Sequence, residues 1–351
     1  MDVRLIRRRD VLGAGAALAT VAAGLIAPDE AQAQAASASP QVGPDTTELP
    51  VPGAERVALW PASLAEGRGP GDTGAAITRR VRMMKFPGSP IDRWVSGIAQ
   101  PVMMAFRPTR PNGSAMLIMP GGGYAFQSFQ KEGVTVARWM AARGTAAFVL
   151  MYRLPGEGWN DRSLVPLQDA QRAMRVIRAR AKSFGVDPAR VMAMGFSAGG
   201  HLAGSLATRF AEKVYAPVDE ADALSARPDL AALIYPVVSM MPGLTHAGSR
   251  DLLLGKDAPE VALRAASLEQ HVPADLPPLY LTHAIDDTTV PVGGTLALFD
   301  AVRERGRIVD LHVVAKGGHG FGMELPVTES GGLWPQELER FAMSNGVVRK
   351  V

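Results

Sequence analysis

The chain contains no cysteine among its 351 residues. That absence excludes disulfide bonds, thiolate zinc sites, iron–sulfur clusters and a cysteine nucleophile together. It assigns no compartment, because an exported protein can fold without bridges. Aromatic residues are sparse, at 6%, and histidines number six, so an imidazole base must come from a short list. A strong charge of either sign is also missing: 37 basic and 34 acidic side chains leave a net charge of +3. The basic residues are scattered, which excludes the clustered footprint of a nucleic-acid binder. What remains is 47% hydrophobic and 20% charged residues, an ordinary globular composition for one large α/β domain or two small ones.

A weakly hydrophobic uncharged run over residues 11–27 opens the chain, preceded by Arg7-Arg8-Arg9-Asp10 and followed by Ala31-Gln32-Ala33. Paired arginines, an Ala/Gly-rich core and an A-x-A cleavage signature form the pattern of a twin-arginine export signal. The alternative is a retained membrane anchor. The run is at the short limit for a bilayer span, and Gly13, Gly15 and Gly24 interrupt it. The expectation is therefore a cleaved signal over 1–33 and a periplasmic or secreted mature protein without an integral membrane span. Residues 34–55, rich in Ala, Ser, Pro and Thr, are expected to be a flexible lead-in. One catalytic domain is expected over 56–351, since no repeat or internal linker divides it.

Strand and helix signals alternate along that domain. Residues 81–86 and 102–106 read as short strands, with the turn Pro87-Gly88-Ser89-Pro90 between them. Residues 115–119 read as a strand followed at once by Pro120-Gly121-Gly122-Gly123-Tyr124. A helix is expected over 132–142, closed by Gly144. Residues 146–152 form a continuous apolar run, as suits a strand buried on both faces of a parallel sheet. Residues 230–238 and 279–284 read as further strands and 309–315 as the last. Residues 164–184 carry Leu167, Ala170, Met174, Ile177 and Ala181 at spacings of three and four, a long amphipathic helix. Arg172, Arg175 and Arg178 lie on another face, which is expected to be solvated. Helices are expected over 202–210, 295–304 and 334–343. The alternation argues for an α/β fold: a mostly parallel central sheet with helices on both faces.

Chemistry concentrates at Val191-Met192-Ala193-Met194-Gly195-Phe196-Ser197-Ala198-Gly199-Gly200-His201. An apolar strand passes through a tight turn into a helix, and the turn matches G-x-S-x-G, the nucleophile elbow. The sharp bend holds the Ser197 hydroxyl clear of the backbone. Such a hydroxyl is a poor nucleophile until a base takes its proton. His319 is the candidate base. It lies in Lys316-Gly317-Gly318-His319-Gly320-Phe321-Gly322, just past the last strand, where glycines give the ring room to reach across. His201, His246, His271 and His312 are expected to be packing or surface residues. Asp286 and Asp287 compete for the third place. Asp287 is preferred because it begins the Asp-x-x-Val-Pro turn, where its side chain can point back over the sheet. The chain order Ser197, Asp287, His319 is that of the α/β-hydrolases. The amides of Ala198, Gly121 and Gly122 are the candidate oxyanion donors. No lysine follows the three glycines, so a P-loop reading fails.

Together these pieces resemble bacterial α/β-hydrolases of the acetyl-xylan-esterase-like group, relatives of the hormone-sensitive-lipase-type esterases. The resemblance runs from Leu59-Trp60-Pro61 to Trp334. It includes Lys131-Glu132-Gly133, Tyr152-Arg153-Leu154 and Asp169-Ala170-Gln171-Arg172-Ala173. It implies an α/β-hydrolase fold and deacetylation of a plant polysaccharide such as xylan, or of its oligosaccharides, through an acyl-enzyme. No metal or organic cofactor is implied. Tyr124 and Trp159 are candidate substrate contacts; Trp159 is either a sugar-stacking platform or, as a tryptophan in an exposed loop more often is, packed under its own loop. The rivals are a general short-chain carboxylesterase, a serine peptidase of the prolyl-oligopeptidase type, and a non-catalytic carbohydrate-binding protein on a hydrolase scaffold. No propeller repeats support the peptidase. The intact serine, aspartate, histidine and glycine loop argue against the binding protein.

Overall fold

The computed structural model describes residues 41–86 and 88–349. The expected signal over 1–33, the start of the expected lead-in and Pro87 of the expected turn lie outside the described residues. The strands in chain order are β1 (Gln41–Val42), β2 (Glu55–Ala58), β3 (Arg80–Lys85), β4 (Asp92–Ser96), β5 (Val102–Phe106) and β6 (Ala115–Met119). They continue as β7 (Gln127–Ser128), β8 (Ala146–Met151), β9 (Val191–Phe196), β10 (Ala231–Ile234), β11 (Leu279–Ala284) and β12 (Val309–Val314). The helices are α1 (Thr135–Ala142), α2 (Val165–Ala179), α3 (Ala181–Phe184), α4 (Ser197–Arg209), α5 (Ala247–Leu254), α6 (Glu260–Ala265), α7 (Val292–Glu304) and α8 (Trp334–Ser344).

Apolar runs became strands where both faces are covered. Every residue of β6, β8, β9 and β11 is buried. Such strands need no alternation, because neither face meets water. They lie in an 8-stranded sheet of order β12-β11-β10-β9-β6-β8-β5-β2. From β8 to β12 all neighbours are parallel, while β5 joins β8, and β2 joins β5, antiparallel. The sequence leaves β6 for β8 on one side and later returns to β9 on the other. That reversal opens a crevice at the carboxyl ends of β6 and β9, where ligands of open α/β sheets bind.

Several expectations change. The strand expected over 81–86 lies outside the main sheet. It pairs in a 4-stranded antiparallel sheet of order β1-β3-β4-β7. Part of the expected lead-in is paired strand: β1 pairs with β3, and Glu55 opens β2. The edge strand β2 and the short strand β4 carry charged, half-exposed residues, so they lack the apolar signal that marks a central strand. The strand expected over 230–238 stops at Ile234, because Tyr235 turns into the left-handed region at φ 36°. Helices α5 and α6 had no clear periodic stripe and were not expected. The long helix breaks at Arg180 into α2 and α3.

The arginine face of α2 is also corrected. Arg172 is buried rather than solvated, and its guanidinium grips Asp219 at 2.7 Å and Asp222 at 3.1 Å. Arg175 donates to the Tyr215 hydroxyl and Arg178 pairs with Asp229. The helical period correctly grouped the three, but they face the connection between α4 and β10 instead of water. Residues 40 to 51 positions away supply the partners, which spacing along one helix does not reveal.

Candidate active site

Each chemically competent side chain leaves the carboxyl end of a parallel strand. Ser197 follows β9 directly and opens α4 at φ 52°, a left-handed conformation rare for a side-chain-bearing residue. The turn is closed so tightly that two glycines are obligatory. A Cβ on Gly195 would collide with the Gly199 carbonyl, and one on Gly199 with the carbonyls of Met119 and Pro120. The elbow is thereby pressed against the loop after β6, and its hydroxyl is aimed at the crevice.

The structure brings Ser197, His319 and Asp287 into one chain of hydrogen bonds. His319 Nε2 lies 2.8 Å from Ser197 Oγ, and His319 Nδ1 lies 2.6 Å from Asp287 Oδ2. With Asp287 accepting at Nδ1, Nε2 is left free to take the serine proton. Burial pushes the Asp287 carboxyl up. Hydrogen bonds from His283 and His319, the charge of His319 and the Val290 amide outweigh it, holding the group well below the ordinary carboxylate range. Its other oxygen, Oδ1, accepts the N–H groups of Thr289 and Val290 at 2.9 and 2.8 Å. Asp286, the competing residue, is exposed and accepts the Gly318 amide at 2.8 Å.

The structure also shows a residue that the sequence reading passed over. His283 is fully buried at the end of β11. Its Nε2 lies 3.1 Å from the Val290 carbonyl, which only accepts, so Nε2 is a donor. The same Nε2 reaches Asp287 Oδ2 at 3.2 Å, while Nδ1 accepts from the Thr295 hydroxyl at 2.7 Å. His283 thus fixes the carboxylate from behind. The available signal was its position four residues before Asp287 on the same strand–turn unit. His246, expected to be a packing or surface residue, packs its ring beside Gly123, and its Nδ1 caps α5 by accepting the Ser249 amide. Burial and the charge of His319 lower its pKa.

The glycine loop requires a correction. The Gly121 N–H, an expected oxyanion donor, is donated to Glu132 Oε2 at 2.7 Å. It is spent beneath the site. The next two peptides are pinned by their carbonyls instead. Ser128 N–H donates to Gly121 O at 2.9 Å, and Ala125 and Phe126 N–H donate to Gly122 O at 3.0 and 3.2 Å. A peptide held by its carbonyl presents its N–H on the opposite side. The N–H groups of Gly122 and Gly123 have no acceptor among the described residues. The Ala198 N–H sits in the first turn of α4, where no helical carbonyl precedes it. Gly122, Gly123 and Ala198 are therefore the donors this geometry leaves available.

The substrate-contact reading of both aromatics is corrected, and for Trp159 the packing alternative holds. Tyr124 is 1% exposed, and its hydroxyl is spent on His201 Nδ1 at 2.8 Å. His201 in turn donates Nε2–H to the Ala266 carbonyl at 2.7 Å, and burial lowers its pKa to about 4. The pair braces the glycine loop on α4. Trp159 is buried, with the guanidinium groups of Arg68 and Arg153 over its ring at 5.7 and 5.0 Å from the centre. It packs under its own loop and offers no open face to a sugar. The half-exposed aromatics beside the glycine loop are Phe126 and Trp94, stacked at 3.8 Å.

Known proteins carry the same arrangement of elements. Residues 106–302 match the BD-FAE family. The chain is 35% identical over 225 residues to an acetylxylan esterase of Xylanibacter ruminicola, covering 63% of this chain and 43% of that protein. It is 36% identical over 205 residues to endo-1,4-beta-xylanase B of Butyrivibrio fibrisolvens, covering 58% and 32%. The chain thus spans less than half the length of these curated relatives. Among solved structures, an acetyl ester-xyloside bifunctional hydrolase from Caldicellulosiruptor lactoaceticus superposes with a TM-score of 0.67 at 30% identity, over 85% of this chain and 99% of that one. Esterase 2 of Thermogutta terrifontis gives 0.61 at 25% identity, over 72% and 92%. With more than half of its length matched and its mostly parallel sheet shared with these esterases, the chain belongs to the BD-FAE family and has the α/β-hydrolase fold.

Proposed function

We propose that the protein is a serine carboxylic ester hydrolase that removes acetyl groups from xylan or its oligosaccharides. The observation that carries this reading is the unbroken hydrogen-bond chain from Ser197 through His319 to Asp287. The names of its relatives, an acetylxylan esterase and an acetyl ester-xyloside hydrolase, support the substrate class.

In this reading Ser197 Oγ attacks the acetyl carbonyl carbon while its proton passes to His319 Nε2. The carbonyl π electrons move to oxygen, where the Gly122, Gly123 and Ala198 amides hold the negative charge. Collapse breaks the carbon–oxygen bond to the sugar, and the departing alkoxide takes the proton from His319. Water then attacks the acetyl-serine with the same imidazole as base. Acetate leaves and Ser197 regains its proton. Asp287 stays ionised throughout and stabilises the imidazolium.

A second reading, a general short-chain esterase, is favoured by the burial of Tyr124 and Trp159, which removes both candidate substrate contacts. Acetate release from acetylated xylan, compared with p-nitrophenyl acetate and a peptide amide, separates the two. We expect turnover of the polysaccharide and the small ester. Turnover of the small ester alone assigns the general esterase, and amide cleavage overturns both.

The sequence pattern over 1–33 also supports export as a twin-arginine substrate, leaving a periplasmic or secreted enzyme. Among the described residues no helix is long and apolar enough to cross a membrane. Replacing Arg8 and Arg9 by lysine is expected to trap the precursor in the cytoplasm on fractionation; unchanged export overturns the assignment.

A further inference from the structure

The mechanism above leaves one buried carboxylate in the crevice unused. Glu132 is 4% exposed and sits on a six-residue π-helical segment, Phe129–Val134, just before α1. π-helical turns are found frequently at functional sites. A carboxylate is expensive to bury, and an apolar side chain of similar size would cost less. Both oxygens of Glu132 are directed at parts of the site. Oε2 accepts the Gly121 N–H at 2.7 Å, at the root of the loop that presents the free amides of Gly122 and Gly123. Oε1 accepts the Tyr235 hydroxyl at 2.9 Å. That hydroxyl accepts the Gly322 N–H, also at 2.9 Å, in the loop that carries His319.

Tyr235 is well placed for such a bridge. It is fully buried at φ 36°, and its ring meets that of His319 edge-on at 5.1 Å between centres. Strain of this kind persists only where surrounding contacts over-determine it. The Gly322 carbonyl is held from the other side by Trp334 Nε1 at 2.8 Å. Burial pushes the Glu132 carboxyl up from its ordinary value, while the Tyr235 and Gly121 hydrogen bonds and the charge of His319 pull it down.

We propose that Glu132 is a positioning residue that ties the oxyanion loop to the histidine loop through Tyr235, so that donors and base keep their spacing as charge develops. This rests on the ester-hydrolase reading above. The bridge does not touch substrate. It acts because the Gly121 peptide sets the direction of the next two amides, and the Gly322 peptide closes the turn that aims the imidazole. A misplacement of about 1 Å at either end is enough to cost on the order of 100-fold in rate.

Two near-isosteric variants test it. Glu132→Gln keeps shape but removes the charge and one acceptor. Tyr235→Phe cuts the link to Gly322 and leaves the Glu132–Gly121 bond. With p-nitrophenyl acetate, each is expected to lower kcat about 10- to 100-fold with KM within about threefold. Because both cut one path, the double variant is expected to fall no more than about threefold below the weaker single variant. Melting curves and near-ultraviolet circular dichroism establish that each variant is folded. Amide hydrogen exchange gives a readout independent of turnover: exchange in 120–126 and 317–322 is expected to accelerate together in either variant. A folded Glu132→Gln with wild-type kcat, losses that multiply in the double variant, or exchange that changes in one loop only overturns the bridge. An inactive wild-type protein instead overturns the ester-hydrolase reading, and the exchange experiment still decides whether the bridge exists.

Discussion

Two carboxylates buried in this molecule have different partners. Asp169 on α2 is fully buried and accepts from Arg153 Nε and a terminal guanidinium nitrogen, from the Arg153 amide and from Trp60 Nε1. Asp287 is nearly as buried and accepts from two imidazoles and two amides. Arginine never releases its proton, so the Asp169 pair can only lock α2 to the chain leaving β8. Histidine takes and returns a proton near neutral pH, so the same acceptor chemistry at Asp287 can assist a reaction. Burial of an acid therefore does not distinguish structure from catalysis. The proton affinity of its partner does, together with what lies beyond that partner: a serine hydroxyl for His319, a carbonyl for Arg153.

The comparison breaks most sharply at Ser197. Ser197→Ala is expected to reduce acetate release by about 10⁶-fold while leaving the melting curve in place. Residual turnover near wild type rules out the acyl-enzyme route. Asp287→Asn comes next, with an expected loss of about 10⁴-fold in kcat, because the imidazole then loses its anionic partner and its orientation. Asp286→Asn is expected to stay within a few-fold, and the reverse ranking reassigns the acid.

Asp169→Asn is the counterpart on the structural side. It leaves Arg153 as an uncompensated buried charge, at an expected cost of about 3–5 kcal/mol in denaturant unfolding. The fraction that remains folded should keep kcat within about twofold. Loss of kcat without loss of stability would erase the distinction between the two acids.

The pH dependence sharpens it further. The Asp287 pKa is lowered on folding. Its contribution to stability is therefore complete above the unfolded carboxylate value and lost as pH falls through the lower, folded one. The stability gap between wild type and Asp287→Asn is expected to narrow below about pH 4, as unfolding monitored by circular dichroism can show. A gap that widens on acidification contradicts the lowered pKa. The smallest effect belongs to Trp159→Phe. Because the indole is buried against two arginines, KM for acetylated xylan is expected to move by less than about twofold. A larger rise would return Trp159 to the substrate site.

The residues whose chemistry is local were the ones most legible in the sequence. Ser197 sits in a turn that defines itself within five residues, and His319 in a glycine loop after the last strand. The strands β6, β8, β9 and β11 were visible because full burial writes a continuous apolar run. The short strands β2, at a sheet edge, and β4, inside the small sheet, were not, because charged, half-exposed residues look like loop. Gly121 was misread because three adjacent glycines are chemically identical. Which N–H remains free depends on Glu132 and Ser128 reaching back from the following segment. Tyr124 and Trp159 stayed open for a related reason: an aromatic in a glycine-containing loop suits a platform and a packed core equally.

The sequence alone determined which groups can react, in what order they occur, and that apolar strands alternate with helices, because motif spacing and hydrophobic period are properties of the linear chain. The tertiary structure decided which of two aspartates meets the imidazole, which amides stay unpaired, which arginines leave water, and that His283 and Glu132 stand behind the site. Those outcomes depend on hydrogen-bond partners far apart in the chain. A donor or acceptor is free or spent only once folding has brought its competitor within about 3 Å.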